Sequence, residues 1–347
     1  MADYSTSRWD ATMYTLGERM KQPEFKRKPS PTLMKMLKYR DMLVSTGDRN
    51  SAMKEKKSDQ STIEIKLLNK QAITVGSARA YDHSGNKNDS RNKAVTFTTV
   101  TADYATSIKE SDRIIWSDIE LEAAQLHSAM IAIHNSIETT QLAGLNTNKS
   151  QVVVSATPTS GTWDATNHIF QVLNGDYDLF LQKLKGFMRE NYYDGGVYET
   201  IFNEALYQKA ETILAQGAGN NTNLAWQGMG IDALVSQELA NDSGYLGMGY
   251  AFTPGTLGIL DWIPEKNRTG FGDTFQIGGL YTRMPDPFGS GLTFAVHKRA
   301  VAADNDSTSG ETQDINIHTE ISIDLAPIIA TTSTANESSI YKFGILT

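Results

Sequence analysis

The feature that most constrains the fold of this chain is one long helix. Ser117-Asp-Ile-Glu120 reads as a capping box, in which the Ser and Glu side chains satisfy free amides of the first turn. Apolar residues then recur at alternating four- and three-residue steps up to Ile137, and Gly144 predicts that the helix ends at Ala143. They are Ile119, Ala123, Leu126, Met130, Ile133 and Ile137. A helix of about 26 residues spans roughly 39 Å, so we expect a beam across one face of the molecule.

A long β-hairpin is predicted between Ser61 and Ser107, where apolar residues alternate with polar ones on both sides of a polar gap. Ile63, Ile65 and Leu67 form one arm, and Val95, Phe97 and Thr99 form the other. An isolated hairpin is only marginally stable in water, so we expect this ribbon to pack on a neighbouring subunit. Candidate contacts at its exposed tip are Ser84, Gly85, Asn86 and Lys87.

The amino-terminal segment is basic, whereas the remainder of the chain is acidic. Residues 1–57 carry 13 Lys and Arg against 7 Asp and Glu, which leaves 19 against 33 from the totals of 32 and 40. Three prolines predict an extended arm with one helix that starts at Ser30-Pro31, and Lys35 and Lys38 lie off its apolar stripe. A basic arm on an acidic body can contact nucleic acid or an acidic partner, and Lys35 and Lys38 are candidate assembly contacts. A solvated helix face is the alternative.

The rest of the sequence predicts a compact α+β domain, because helical and strand patterns alternate along it. Short strands are expected at Val152-Val-Val154 and Val197–Phe202, and helices at Tyr177–Glu190 and Glu204–Ala215. Residues 216–273 are rich in Gly and Asn and predict loops with short strands. Returning strands are predicted at Leu292–His297, Ile315–Leu325 and Ile340–Leu346.

The sequence lacks the common motifs of catalytic and metal-binding sites. The chain has no cysteine, which excludes disulfides and thiolate sites, and the phosphate-loop, nucleophile-elbow and dinucleotide motifs are missing. His127 and His134 share a helix face, and Glu138 could pair with His134, but a third metal ligand is lacking. Asp118 and Glu122 are explained by the helix dipole. We therefore expect no catalytic residue, metal or cofactor.

Nothing in the sequence predicts a membrane partner or secretion. No stretch approaches the roughly 18 apolar residues of a membrane span, and residues 1–10 lack the pattern of a secretory signal. We therefore expect synthesis in a cytoplasm.

The order of these parts resembles the subunit of tailed-bacteriophage shells, the Hong Kong 97 fold. Phe294-Ala-Val-His-Lys-Arg-Ala-Val301 is similar to a segment late in many such capsid proteins. Residues 321–345, which include Tyr341-Lys-Phe-Gly344, are similar to their closing strands, and Val197–Leu206 resembles their central strand-to-helix turn.

The resemblance implies an α+β phage major capsid fold with these parts: N-terminal arm 1–57, E-loop hairpin 58–108, spine helix and first part of the peripheral domain 109–175, axial domain 176–301, and returning peripheral strands 302–347. It implies a virion shell protein made in the host cytoplasm, assembling as a homo-oligomer of pentamers and hexamers around double-stranded DNA. Scaffold, portal and decoration proteins are possible partners. Some relatives cross-link an E-loop lysine to a neighbour's asparagine, but no partner for Lys87 stands out here.

Two other functions remain open from the sequence. A tail-tube or sheath subunit also uses extended arms, although the long helix argues against it. A soluble enzyme with a pocket formed by residues 216–273 would require a deep cleft with titratable groups of perturbed pKa.

Overall fold

The computed structural model describes residues 6–44, 46–57, 62–68, 90–107, 117–216, 231–264, 280–302, 315–330 and 336–347. Helices and strands alternate through them, so the expected α+β class is confirmed. The chain divides into two compact units. The first comprises residues 1–30, 97–137 and 261–326, and the second comprises residues 31–96, 138–260 and 327–347.

The described helices are α1 (Thr6–Met20), α2 (Pro31–Lys38), α3 (Arg40–Leu43), α4 (Thr46–Lys57), α5 (Asp118–Thr147), α6 (Phe180–Glu190) and α7 (Glu204–Gln216), with a 3-10 helix at Asn174–Leu179. The described strands are β1 (Thr62–Leu68), β2 (Ser90–Thr96), β3 (Thr98–Ser107), β4 (Thr162–Asp164), β5 (Ile169–Val172), β6 (Tyr198–Asn203), β7 (Ile231–Ser236), β8 (Tyr245–Phe252), β9 (Leu257–Trp262), β10 (Leu280–Pro285), β11 (Thr293–Ala302), β12 (Ile315–Ile329) and β13 (Tyr341–Leu346).

The long helix is confirmed as α5, and it is longer than predicted. Glu120 N donates to Ser117 Oγ (3.3 Å) and Ser117 N donates to Glu120 Oε2 (3.0 Å), which is the predicted capping box. Five of the six predicted stripe residues are buried: Ala123, Leu126, Met130, Ile133 and Ile137. The predicted stop at Gly144 is wrong, because the helix continues to Thr147 and Asn148 Nδ2 then caps Gly144 O at 2.8 Å.

The described residues of the amino-terminal segment form four helices and not the single helix predicted. The start of α2 at Pro31 is confirmed. Helix α1 was not predicted; its buried face consists of Trp9, Thr12 and Leu16 at three- and four-residue spacing. One member of that face is a threonine, so a search for apolar periodicity did not detect it.

The strands of the first unit are antiparallel in the order β10-β11-β12-β3. Val296 pairs with Ile321, which pairs with Ala102 on β3. This pairing corrects the predicted hairpin: its second arm ends at Thr96, and residues 98–107 pair with β12 instead. β12 is longer than predicted, and its end belongs to the second unit, where Ala330 N donates to Thr256 O (2.8 Å).

A six-stranded sheet forms the centre of the second unit, in the order β4-β5-β13-β8-β6-β7. Phe187 of α6 stacks on Phe170 of β5 with ring centroids 4.1 Å apart, and Phe202 and Phe343 join the same core. Every residue of β6 is buried. Asn203 ends that strand and caps α7, because its Oδ1 accepts from Leu206 N at 3.0 Å. The predicted strand-to-helix turn is thereby confirmed.

Two other predictions from the sequence need correction. Residues 152–154 do not form a strand, and Val152 and Val154 are exposed. The region 216–273 contains more regular structure than expected, because its described part includes β7, the eight-residue β8 and β9. Single Gly residues hid β8 from the pattern, since Gly247 and Gly249 interrupt its apolar alternation.

Candidate assembly surfaces

The base of the ribbon is the two-stranded sheet β1–β2, in which Ile63 pairs with Val95 and Ile65 with Lys93. The apolar face of β1 is buried and α4 packs on the same strand, while Lys93 Nζ donates to Ile329 O at 2.7 Å. The expectation that the ribbon lacks cover within its own chain is therefore wrong for this face of its base. The opposite face of β1 is exposed and consists of Thr62, Glu64 and Lys66.

The predicted tip contacts Ser84, Gly85, Asn86 and Lys87 lie outside the described residues. Their role in assembly stays a prediction.

Lys35 and Lys38 lie in an ion-pair cluster inside the second unit. The ammonium of Lys35 contacts the carboxylate of Glu199 on β6 and lies 3.1 Å from Asp232 Oδ1 on β7. Lys38 Nζ reaches Glu199 Oε1 at 2.9 Å and Asp232 Oδ2 at 2.5 Å. The hydroxyl of Tyr39 also donates to Glu199. The cluster fixes α2 against β6 and β7.

The burial of Lys35 corrects the predicted helix pattern, which placed this residue off the buried stripe. Its side chain is 2% exposed, whereas that of Lys38 is 46% exposed. Burial raises the pKa of Asp232, but the hydrogen bond from Lys38 and the charge of Lys35 outweigh it, so the net pKa lies below the usual value. Lys35 is held inside the subunit, and the outward contact predicted for Lys38 stays a prediction.

A second buried charge cluster lies in the first unit, at the start of α5. The Glu122 carboxylate is fully buried and contacts the ammonium of Lys298 on β11, and Arg8 Nε of α1 lies 3.4 Å from it. Arg8 also pairs with Asp118 at 2.8 Å, and the Lys298 ammonium lies 4.9 Å from the Trp9 ring centroid. Burial lowers the pKa of Lys298, although Glu122 raises it part of the way back.

Glu122 therefore has a role that the sequence analysis missed. The helix dipole was sufficient to explain an acid in this position, yet Glu122 is the buried partner of cations from two other elements. A first sequence signal was the position of Glu122 next to Ala123, at the edge of the apolar stripe. Lys298 gave a second signal, since Val296 and Ala300 place it on the same face of an apolar strand.

The two histidines of α5 make structural contacts, and the partner of His134 differs from the prediction. His127 Nε2 donates to the carbonyl of Phe25 at 2.9 Å. His134 Nδ1 accepts from Ser30 N at 3.3 Å, and its Nε2 lies 3.1 Å from Asp286 Oδ2. Glu138, the predicted partner of His134, instead accepts from the amide of Thr32 at 3.0 Å and from its hydroxyl at 2.8 Å.

Asp286 lies in the turn between β10 and β11, and the histidine that it faces affects its pKa. Burial raises its pKa, but the interaction with His134 and the bonds from Ser290 and Phe288 amides outweigh burial, so the pKa lies below the usual value. The carboxylate stays ionised at neutral pH and organises the turn. Phe288, in the same turn, places its ring 5.1 Å from that of His134.

Two surface clefts lie in the first unit. One, of about 480 Å³, runs between β3 and α5 and is lined mainly by small residues such as Ala124, Ser128 and Ala132. The other, of about 410 Å³, lies on the sheet where Asp103 and Glu320 pair across β3 and β12. Among the described residues, no three His, Asp or Glu side chains are grouped to hold a metal ion, and no described helix meets the requirements of a membrane span.

Neither a protein-family model nor a curated protein matches the sequence. Solved structures match in shape. One from Mycobacterium phage Che8 is 11% identical with a TM-score of 0.47, over 86% of this chain and 88% of that one. The capsid structure of cyanophage P-SCSP1u is 10% identical with a TM-score of 0.44, over 83% of each chain. The asymmetric unit of the mature capsid of bacteriophage PhiM1 is 9% identical with a TM-score of 0.40, over 82% of each chain.

Proposed function

We propose that this chain is a major capsid protein, a structural subunit of the virion that is made in the host cytoplasm and assembles through pentamers and hexamers into an icosahedral or prolate shell. The shell encloses double-stranded DNA, and scaffold, portal and decoration proteins are its further partners. In this proposal the chain has no catalytic activity. Its proposed parts are an arm of residues 1–57, an E-loop from residue 58 to Thr96, where its second strand ends, a spine segment up to residue 175, an axial domain 176–301 and returning strands 302–347; residues 98–107 belong to the sheet that contains β12.

The observation that carries the proposal is the ribbon base. β1 and β2 pair only with each other among the described strands. One face of β1 is closed by its own chain, while Thr62, Glu64 and Lys66 face outwards. A two-stranded ribbon with one open face is marginal alone. A second copy that covers the open face supplies the missing stabilisation, and the same contact repeated around a ring builds a capsomer.

The two ion-pair clusters support this reading because they hold segments of the amino-terminal arm inside the subunit. Arg8 is tied to α5 and Lys35 to β6. With these segments fixed, the ribbon remains as the element directed to neighbours. Many such contacts, each weak alone, sum to a stable shell because every added contact is made at high effective concentration.

The test is sedimentation and negative-stain microscopy of the full chain, expressed alone and with the products of neighbouring genes. The proposal expects rings of five or six copies, or closed shells. Helical tubes would instead indicate a tail-tube or sheath subunit. A species that remains monomeric at high concentration under both conditions would refute assembly.

A further inference from the structure

We propose that residues 25–30 form a strap which α5 holds at both ends, and that the strap presents Lys26, Arg27 and Lys28 to the phosphates of nucleic acid. This inference rests on the proposed function and assigns the contact to particular residues. The assembly contacts predicted in the arm, Lys35 and Lys38, are engaged with Glu199 and Asp232 instead.

The strap is anchored by the two histidines of α5. His127 Nε2 donates to Phe25 O at 2.9 Å, and the two rings meet edge to face with centroids 5.8 Å apart. At the other end, Ser30 N donates to His134 Nδ1 at 3.3 Å. Both histidines are buried, at 9% and 4% exposure. The backbone between these anchors is therefore held in place before any partner arrives.

The part of the strap between the anchors is exposed and cationic. Lys26, Arg27 and Lys28 are all exposed and belong to no helix or strand. Within the part of the chain that the structure describes, none of the three forms an ion pair. By contrast, other cations of the same arm are used internally: Arg8 with Asp118, Lys21 with Glu18, and Arg49 with Asp41.

The chemistry of the strap favours a phosphate polymer over a protein partner. Three consecutive cations offer charge but no aromatic or apolar anchor, and such anchors dominate the energy of protein interfaces. Binding to nucleic acid is driven largely by cations that displace the counterions of the phosphates. Because a pre-ordered strap loses little conformational entropy on binding, its affinity is higher than that of a free tail of equal charge.

The test measures binding of the full chain to a short DNA duplex by fluorescence anisotropy over a series of salt concentrations. We expect K26A/R27A/K28A to reduce the slope of log K against log salt by about 2.7, since each lost phosphate contact removes about 0.9. The matched control K54A/R283A/R299A removes one lysine and two arginines that are also exposed, and we expect it to leave the slope nearly unchanged. Equal slopes for the two triple variants would overturn the proposal.

A variant of one histidine anchor separates the effect of holding the strap in place from the effect of the strap's charge. His127→Leu removes the bond to Phe25 O but no strap cation, so we expect binding to weaken by about threefold to tenfold at an unchanged slope. If this variant melts at the same temperature as the wild type and binds DNA with unchanged affinity, the proposed role of the His127 anchor is contradicted. Tighter binding to polyglutamate than to DNA would overturn the choice of partner. If DNA binding fails while rings or shells still form, only this inference falls; if neither occurs, the proposed function falls with it.

Discussion

The two buried charge clusters differ in how many carboxylates surround the buried lysine: Lys298 has Glu122, whereas Lys35 has both Glu199 and Asp232. In the first unit, Glu122 is the only carboxylate within ion-pair distance of Lys298 in the described chain. In the second unit, Glu199 has Lys35, Lys38 and the Tyr39 hydroxyl, and Asp232 shares both lysines. In the first cluster the buried lysine depends on a single carboxylate, whereas in the second cluster it has two.

Two similar buried ion pairs therefore need not respond alike to mutation. Removing one partner of a buried pair is costly because an uncompensated charge stays behind, not because the pair itself contributes much. A cluster with a spare partner can compensate the remaining charge. We therefore expect a large loss of folding stability when one ion of the first cluster is removed and a smaller loss for the second cluster.

The largest expected effect is that of Glu122→Ala. The variant leaves Lys298 buried at 4% exposure without an anion, and we expect a loss of about 3–5 kcal/mol in the free energy of unfolding. The measurement is chemical denaturation of the free subunit, with Glu120→Ala on the exposed capping box as control. Similar losses for the two variants would contradict the account.

The pH dependence of that loss gives a sharper version of the same prediction. The pKa of Lys298 is lowered in the folded protein, so its charged form costs stability below the ordinary lysine range, and the cost disappears as pH rises and the amine becomes neutral. The penalty of Glu122→Ala should therefore shrink as pH is raised from neutral towards 10 or so. A penalty that is constant or grows with pH would indicate a cause other than the stranded ammonium.

Lys35→Ala should cost less, about 1–3 kcal/mol, because Lys38 and Tyr39 still contact Glu199. The double variant Lys35→Ala/Lys38→Ala removes both cations, and we expect it to cost more than the sum of the single losses. The measurement is differential scanning calorimetry of the wild type, the two single variants and the double variant, which together form a double-mutant cycle. Strict additivity would show that the second cluster has no redundancy.

Asp286→Asn should cost about 1–3 kcal/mol at neutral pH, since the neutral amide cannot replace the carboxylate that faces His134. The pKa of Asp286 is lowered in the folded state, so its contribution is present above the ordinary Asp value of about 3.9 and is lost as pH falls through the folded value. Wild type and variant should thus converge in acid. Denaturation at a series of pH values checks this, and a gap that widens in acid would contradict it.

The smallest effect is expected for Lys38→Ala alone, which should cost about 0–1 kcal/mol. The Lys38 side chain is 46% exposed, so solvent screens its ion pairs. Thermal melts at low and high salt are the measurement, and the small difference should decrease with salt. A loss as large as that for Lys35→Ala would make the exposed lysine the main partner of Glu199.

The sequence predicted those parts of the fold that have strong local signals. α5 has a capping box and an apolar stripe, and the segment from Tyr198 to Gln216 has a strand with a capping Asn203, so both were predicted within a few residues. The partner of β3 was not predictable in this way, because residues 98–107 alternate equally well for a hairpin and for a sheet with β12. Pairing between distant strands leaves no local trace.

The buried ions were missed for a related reason. Lys35 occupies a helix position that a hydrophobicity scale assigns to solvent, and its burial is made favourable by Glu199 and Asp232, which lie far away in the sequence. The histidine contacts were half predicted: the spacing of His127 and His134 showed a shared face, but their partners Phe25 and Ser30 come from an arm expected to lie elsewhere.

The central claim is that the open face of the ribbon base is covered by another copy, and thiol labelling tests it most directly because the chain has no cysteine. Glu64→Cys places a thiol on the exposed face of β1, and Ile63→Cys places one on the buried face as control. We expect Glu64→Cys to react rapidly in free subunits and slowly in assembled particles, while Ile63→Cys reacts slowly in both. Equal rapid labelling of Glu64→Cys in free and assembled protein would contradict the account.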